Sequence, residues 1–152
     1  MFVNELILQA NIEVKTNDKV SSMWKSYRQT GSRREACGFI IGGYEASNNL
    51  IIVDQCTTPG IKDIRTRYTY KLKDPKHHAA VVNAYNSSGG YSNFLGVWHT
   101  HPERIPSPSD IDINGWNHLI KENDSIIPAF LFVIVGTEKT NFYTYLNERF
   151  NG

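Results

Sequence analysis

The chain has little sulfur and uses it sparingly. Its two cysteines, Cys37 and Cys56, form no CxxC pair. That usage argues against a disulfide framework and fits a reducing compartment. Long apolar runs are also missing: none approaches the roughly 18 residues that a membrane-spanning helix requires. The start, Met1-Phe2-Val3-Asn4-Glu5, lacks a charged segment leading into a long apolar core, so no signal peptide is expected and the expected location is the cytoplasm. No basic block interrupts the balance of 16 Lys and Arg against 15 Asp and Glu, so nucleic acid is not an expected partner. Repeats, low-complexity tracts and internal linkers are absent as well.

What remains is the composition of a globular protein, with 40% hydrophobic and 12% aromatic residues. At 152 residues the chain is expected to be a single domain over 1–152, long enough to bury a proper core. Leu6-Ile7-Leu8 and Ile12-Glu13-Val14 offer a first strand or a pair. Asn17 and Asp18 supply a cap for a helix carrying Val20, Met23, Trp24 and Tyr27 at helical spacing, ended by Thr30-Gly31-Ser32. A strand is expected over Glu35 to Gly43, with glycines where another backbone comes close. A turn at Ser47-Asn48-Asn49 leads into a second strand, Leu50 to Val53.

Cys56 to Arg67 reads as a loop, and Tyr68 to Leu72 alternates like a half-exposed strand. Asp74-Pro75 opens a helix through Tyr85, which Ser87-Ser88-Gly89-Gly90 breaks. A later helix carries Ile111, Trp116, Leu119 and Ile120. Ala129 to Val135 is a central strand, and Phe142 to Leu146 an alternating one. The pattern is mixed α/β, with helices packed on a mostly antiparallel or mixed sheet.

Chemistry concentrates between Val97 and Asp112. Phe94 to Trp98 reads as a short buried strand, and residues two apart in a strand point to one face, which sets His99 beside His101. Two imidazoles followed within a dozen residues by carboxylates can close around a metal such as zinc, which accepts His nitrogen and Asp oxygen. Two overlapping Ser-x-x-Asp patterns follow, Ser107 to Asp110 and Ser109 to Asp112. Both also read as helix caps, with Pro108 suiting Ser107, so local physics leaves the register open.

His99-Thr100-His101-Pro102, the seven residues between His101 and Ser109, and Ser109-Asp110-Ile111-Asp112 together resemble the motif of the JAMM/MPN metalloprotease family. That spacing selects the second register. Glu35-Ala36-Cys37-Gly38 is similar to the family's upstream motif, an acidic residue opening a strand. The resemblance spans residues 30 to 146, and its wording is nearest the small bacterial JAMM proteins of CBASS anti-phage operons. It implies a cytidine-deaminase-like fold with a mixed central sheet flanked by helices. It implies zinc held by His99, His101 and Asp112, with Glu35 as general base and Ser109 as donor to the oxyanion. The substrate it implies is a protein conjugated through its C-terminus, a nucleotide cyclase or a ubiquitin-like protein. The function expected is therefore a zinc isopeptidase. The alternatives are a peptidase acting on a ubiquitin-like or sulfur-carrier precursor, and a non-catalytic interaction module. A zinc deaminase is disfavoured because no Pro-Cys-x-x-Cys is present. Cys37 is expected to be a small buried hydrophobe, Trp98 and Trp116 core residues, and Arg104 an exposed loop residue. His77, His78 and His118 are expected to be ordinary surface or core residues, and the oligomeric state stays open.

Overall fold

A computed structural model describes residues 12–147; the strand expected at Leu6-Ile7-Leu8 lies outside them. In chain order the elements are β1 (Glu13–Lys15), α1 (Asp18–Ser26), β2 (Cys37–Glu45), β3 (Leu50–Cys56), β4 (Ile64–Arg65) and β5 (Tyr70–Lys71). They continue with α2 (Pro75–Ser87), β6 (Asn93–Thr100), α3 (Asp110–Asn123), β7 (Ala129–Val135) and β8 (Thr140–Leu146). Among the described residues no helix is long and apolar enough to cross a membrane.

Six strands form one mixed sheet in the order β1-β3-β2-β6-β7-β8. β2 and β3 form an antiparallel pair through a 3-10 turn at Ala46–Asn48, where Asn49 takes the left-handed conformation at φ 48°. β2 also pairs antiparallel with β6, and β7 with β8, whereas β6 runs parallel to β7. A parallel neighbour needs a crossover, and α3 supplies it between β6 and β7. The remaining pair, β4 and β5, stands apart as a two-stranded hairpin. The alternating stretch Tyr68 to Leu72 thus yields strand only at Tyr70–Lys71, and its partner Ile64–Arg65 lies within the stretch that reads as loop.

β7 shows why the sheet is buried on both faces. Ala129, Leu131, Val133 and Val135 join one apolar cluster with Val20 and Trp24 of α1. Phe130, Phe132 and Ile134 join another with Ile113, Trp116 and Ile120 of α3. Period-two alternation with no polar face is what an interior strand between two helix layers requires. Each fully buried side chain of this kind contributes about 1.5–3 kcal/mol, so these seven residues are a principal stabilising element.

The helix starts follow from their caps. Asn17 Oδ1 accepts from Val20 N–H at 2.8 Å and opens α1; Asp74 Oδ1 accepts from Lys76 N–H at 3.0 Å and opens α2. α1 stops at Ser26, short of the Thr30-Gly31-Ser32 boundary read from the sequence, and Arg33 Nη1 reaches back to the carbonyls of Ser26 and Arg28.

One irregularity sets the face that the histidines occupy. Opposite β2, Ile40 pairs with Gly96 but Ile41 pairs with Phe94, so Leu95 is an extra residue in β6. Before this bulge Phe94 faces the α3 side; after it Val97 faces that same side, while Leu95 and Trp98 join the α1 cluster. Gly96 permits the irregularity, since a Cβ there would collide with the Leu131 carbonyl of β7. Were β6 to alternate regularly from Phe94 without the bulge, His99 and His101 would face α1.

Candidate metal and active site

His99 and His101 follow Val97 on the α3 side, with ring centroids 4.8 Å apart. Asp112 reaches them from the first turn of α3. Ser109 is the cap of that helix: its Oγ accepts from Asp112 N–H at 3.1 Å, and Asp112 Oδ2 accepts from Ser109 N–H at 2.9 Å. This reciprocal capping box pairs Ser109 with Asp112 and leaves Asp110 and Ser107 exposed. Asp112 is 7% exposed, near the positive end of the helix dipole, which favours its charge. Burial opposes that charge, but the hydrogen bond from His101 and the close approach of the His99 ring outweigh it and hold the carboxyl far below its ordinary range.

One ligand atom from each of His99, His101 and Asp112 lies within 4.8 Å of the others, and all three residues are buried. His101 Nε2 is 3.1 Å from Asp112 Oδ2, and His99 Nε2 is 3.2 Å from Asp112 Oδ1. The second contact has the distance of a hydrogen bond but not its direction. Both ring nitrogens of His99 therefore stand without a hydrogen-bond partner, although the residue is fully buried. Orphaned polar atoms at zero exposure are costly unless something else pairs with them. Their convergence with a carboxylate and a second imidazole fits a cation, and a donor set of two nitrogens and one oxygen is what a borderline divalent metal takes.

Glu35 faces the same point from the neighbouring strand. Cys37 pairs with His99 across β2 and β6, which carries Glu35, two residues earlier, to the level of His101. It is 2% exposed, and its Oε1 has no hydrogen-bond partner. Burial pushes its carboxyl up to about 8, with His101 pulling it down and Asp112 pushing it up. The main chain of Glu35 is tied to the hairpin: its N–H donates to Thr66 O at 2.7 Å, and Arg65 Nη1 donates to its carbonyl at 3.2 Å. No pairing with Arg33 or Arg34 holds it.

Burial drives His99 towards its neutral form despite Asp112. His101 behaves oppositely: burial disfavours its charge, but hydrogen bonds to Asp112 and Glu103 outweigh that and raise it to about 9. Ser109, Glu35, His101, Glu103, Arg67 and Tyr68 line one cleft. The five residues predicted from sequence are thus brought to one place. Ser109 Oγ spends a lone pair on the cap and keeps its hydroxyl proton free to donate.

Several contributors escape a sequence reading. Tyr70 of β5 stacks on His99 at 4.8 Å between centroids and 30° between planes. Gln29, 2% exposed, donates through Nε2 to the carbonyls of Arg33 and Arg67 and accepts from Thr100 Oγ1. A polar residue in the short segment after a helix gives no local sign of such a role. His77 is buried, with Nε2 2.6 Å from Asp63 Oδ2 and Nδ1 2.5 Å from Thr57 Oγ1. Asp63 Oδ1 also takes the N–H groups of Lys73 and Asp74, so the carboxylate ties the base of the hairpin to α2. Cys37, Trp98 and Trp116 are core residues, His78 and His118 are exposed, and Arg104 lies at the surface beside Glu138. Burial raises the Cys37 thiol to about 12, which disfavours its thiolate.

Comparisons with known proteins identify the family. A protein of Escherichia coli named CD-NTase/cGAS isopeptidase is 33% identical over 116 residues, covering 76% of this chain and 68% of its own. A protein of the same name from Vibrio cholerae is 34% identical, covering 82% of this chain and 75% of its own. Its namesake from Pseudomonas aeruginosa is 36% identical, covering 67% and 63% respectively. The solution structure of a protein from Desulfitobacterium hafniense shares the fold at a TM-score of 0.57, with 19% identity over 88% of this chain and 83% of that one. Residues 19–147 match the family described as prokaryotic homologs of the JAB domain, and the chain belongs to that family.

Proposed function

We propose that the protein is a zinc isopeptidase that releases a protein from its C-terminal conjugate, and that the protein released is a nucleotide cyclase of a CBASS anti-phage operon. The observation that carries the chemistry is the convergence of three buried ligand atoms within 4.8 Å, with Glu35, whose Oε1 has no partner, lining the adjoining cleft. The names of the three relatives described above, each a CD-NTase/cGAS isopeptidase, support the substrate class.

In this reading His99, His101 and Asp112 hold the ion. Zinc held there supplies Lewis acidity, polarising a carbonyl and acidifying water. Glu35 accepts the proton of the attacking water and delivers it to the departing amine; it is buried, and its Oε1 has no competing partner. The Ser109 hydroxyl donates to the carbonyl oxygen as negative charge develops there. The Tyr68 to Leu72 stretch beside the site offers main chain to an extended tail, which binds such a tail without demanding much of its sequence. A flexible C-terminus joined to a lysine can thread past these groups, whereas a folded interior peptide cannot.

The test uses a cyclase joined through its C-terminus to a lysine of a reporter. The wild-type chain should release the reporter, a strong chelator should stop release, and added zinc should restore it. Release that ignores the chelator would overturn the reading. Cleavage confined to the precursor of a small ubiquitin-like carrier would replace the substrate.

A further inference from the structure

The two histidines of the site are held in different ways. His99 is completely buried, with Tyr70 stacked on one face and Trp116 6.5 Å away. Packing alone fixes that ring. His101 is 9% exposed at the mouth of the cleft and has one outward partner: its Nδ1 lies 2.8 Å from Glu103 Oε1.

An ionised carboxylate only accepts hydrogen bonds. Glu103 therefore holds a proton on Nδ1 of His101, so that a metal ion entering the site displaces only the Nε2 proton and meets that lone pair beside Asp112 Oδ2, 3.1 Å away. The backbone that carries Glu103 is fixed for this purpose. Its carbonyl accepts from Thr137 N–H at 2.7 Å, and the next carbonyl, of Arg104, accepts from Glu138 and Lys139 N–H at 3.2 and 3.0 Å. Gly136 allows the approach, since a Cβ there would stand 2.7 Å from Glu103 O. The β7–β8 turn thus anchors the loop, and only side-chain torsions remain to place the carboxylate.

We propose that Glu103 is the positioning residue of the metal site, holding His101 in the Nδ1-protonated tautomer so that Nε2 is presented to the ion. This rests on the metal reading given above. Outer carboxylates of this kind typically contribute 10–100-fold in metal affinity.

The test measures zinc affinity of the full chain by competition with a chromophoric chelator, for wild type, Glu103→Gln and Glu103→Ala. Glu103→Ala should bind zinc about 10–100-fold more weakly, and Glu103→Gln, which keeps a neutral acceptor, should fall between. In the zinc-loaded wild type, NMR should show a proton on His101 Nδ1 that no longer resists exchange in Glu103→Ala. Equal affinities in all three proteins would overturn the inference while leaving the metal site intact. A raised KM with unchanged zinc affinity would also overturn it, making Glu103 a cleft-wall contact to substrate. A wild-type chain that binds no zinc would overturn the metal reading itself.

Discussion

Thr100 Oγ1 donates to Gln29 Oε1 at 2.8 Å in complete burial, and the same hydroxyl accepts from Ala36 N–H at 2.9 Å. Through Gln29 Nε2 the link extends to the carbonyls of Arg33 and Arg67. One hydroxyl between the two histidines therefore fastens the chain on either side of Glu35. Thr100→Val keeps the shape but strands two buried polar groups, at about 1–3 kcal/mol each. The expected result is a fall in Tm of roughly 5–15 °C, with lowered kcat because Glu35 loses its neighbour's anchor. Thermal unfolding and steady-state kinetics check this; an unchanged Tm would refute it.

The capping box makes the register testable. Asp112→Ala should lose the metal and the helix cap together, whereas Asp110→Ala, at an exposed position, should keep both. Ser109→Ala should retain the metal, lose about 0.5–2 kcal/mol of stability with the cap, and slow turnover on the order of a hundredfold or more. Metal analysis of the three variants decides between the registers.

Much of this was legible in the sequence because it depends on local pattern. The apolar run Ala129–Val135 is long enough to be read as an interior strand, and its bounds agree with the expectation. Asn17 and Asp74 announce their helices by chemistry that acts within three residues. The i and i+2 spacing of His99 and His101 does put both on one face. What the sequence hides depends on tertiary contact. β4 is two residues long and shows no period, so only its pairing with β5 reveals it. The choice of face for the histidines turns on the single extra residue at Leu95, which no periodicity in so short a strand can disclose. His77 and Asp63 are 14 positions apart, and nothing local marks them as partners.

That buried pair has its own acid signature. The Asp63 carboxylate takes N–H groups from Gly60, Lys73 and Asp74 as well as from His77. Burial opposes its charge, but these hydrogen bonds prevail and lower it from 3.8 to about 2. A carboxyl depressed in the folded state contributes stability that is present above its unfolded value and lost as pH falls through the folded one. The destabilisation caused by Asp63→Asn should therefore be largest above about pH 4 and shrink towards pH 2. Urea unfolding of both proteins across that range checks it; a pH-independent difference would contradict it.

The central claim is that Glu35 moves the proton in cleavage of an isopeptide bond without holding the metal. Mass spectrometry of a cyclase–lysine conjugate, incubated with wild type and with Glu35→Gln at matched zinc content, tests this most directly. The account predicts one product cut directly after the terminal residue of the cyclase. It predicts that Glu35→Gln, folded and carrying about one zinc per chain, leaves the conjugate whole. Near-normal release by Glu35→Gln, or cuts scattered through the interior of the cyclase, would contradict it.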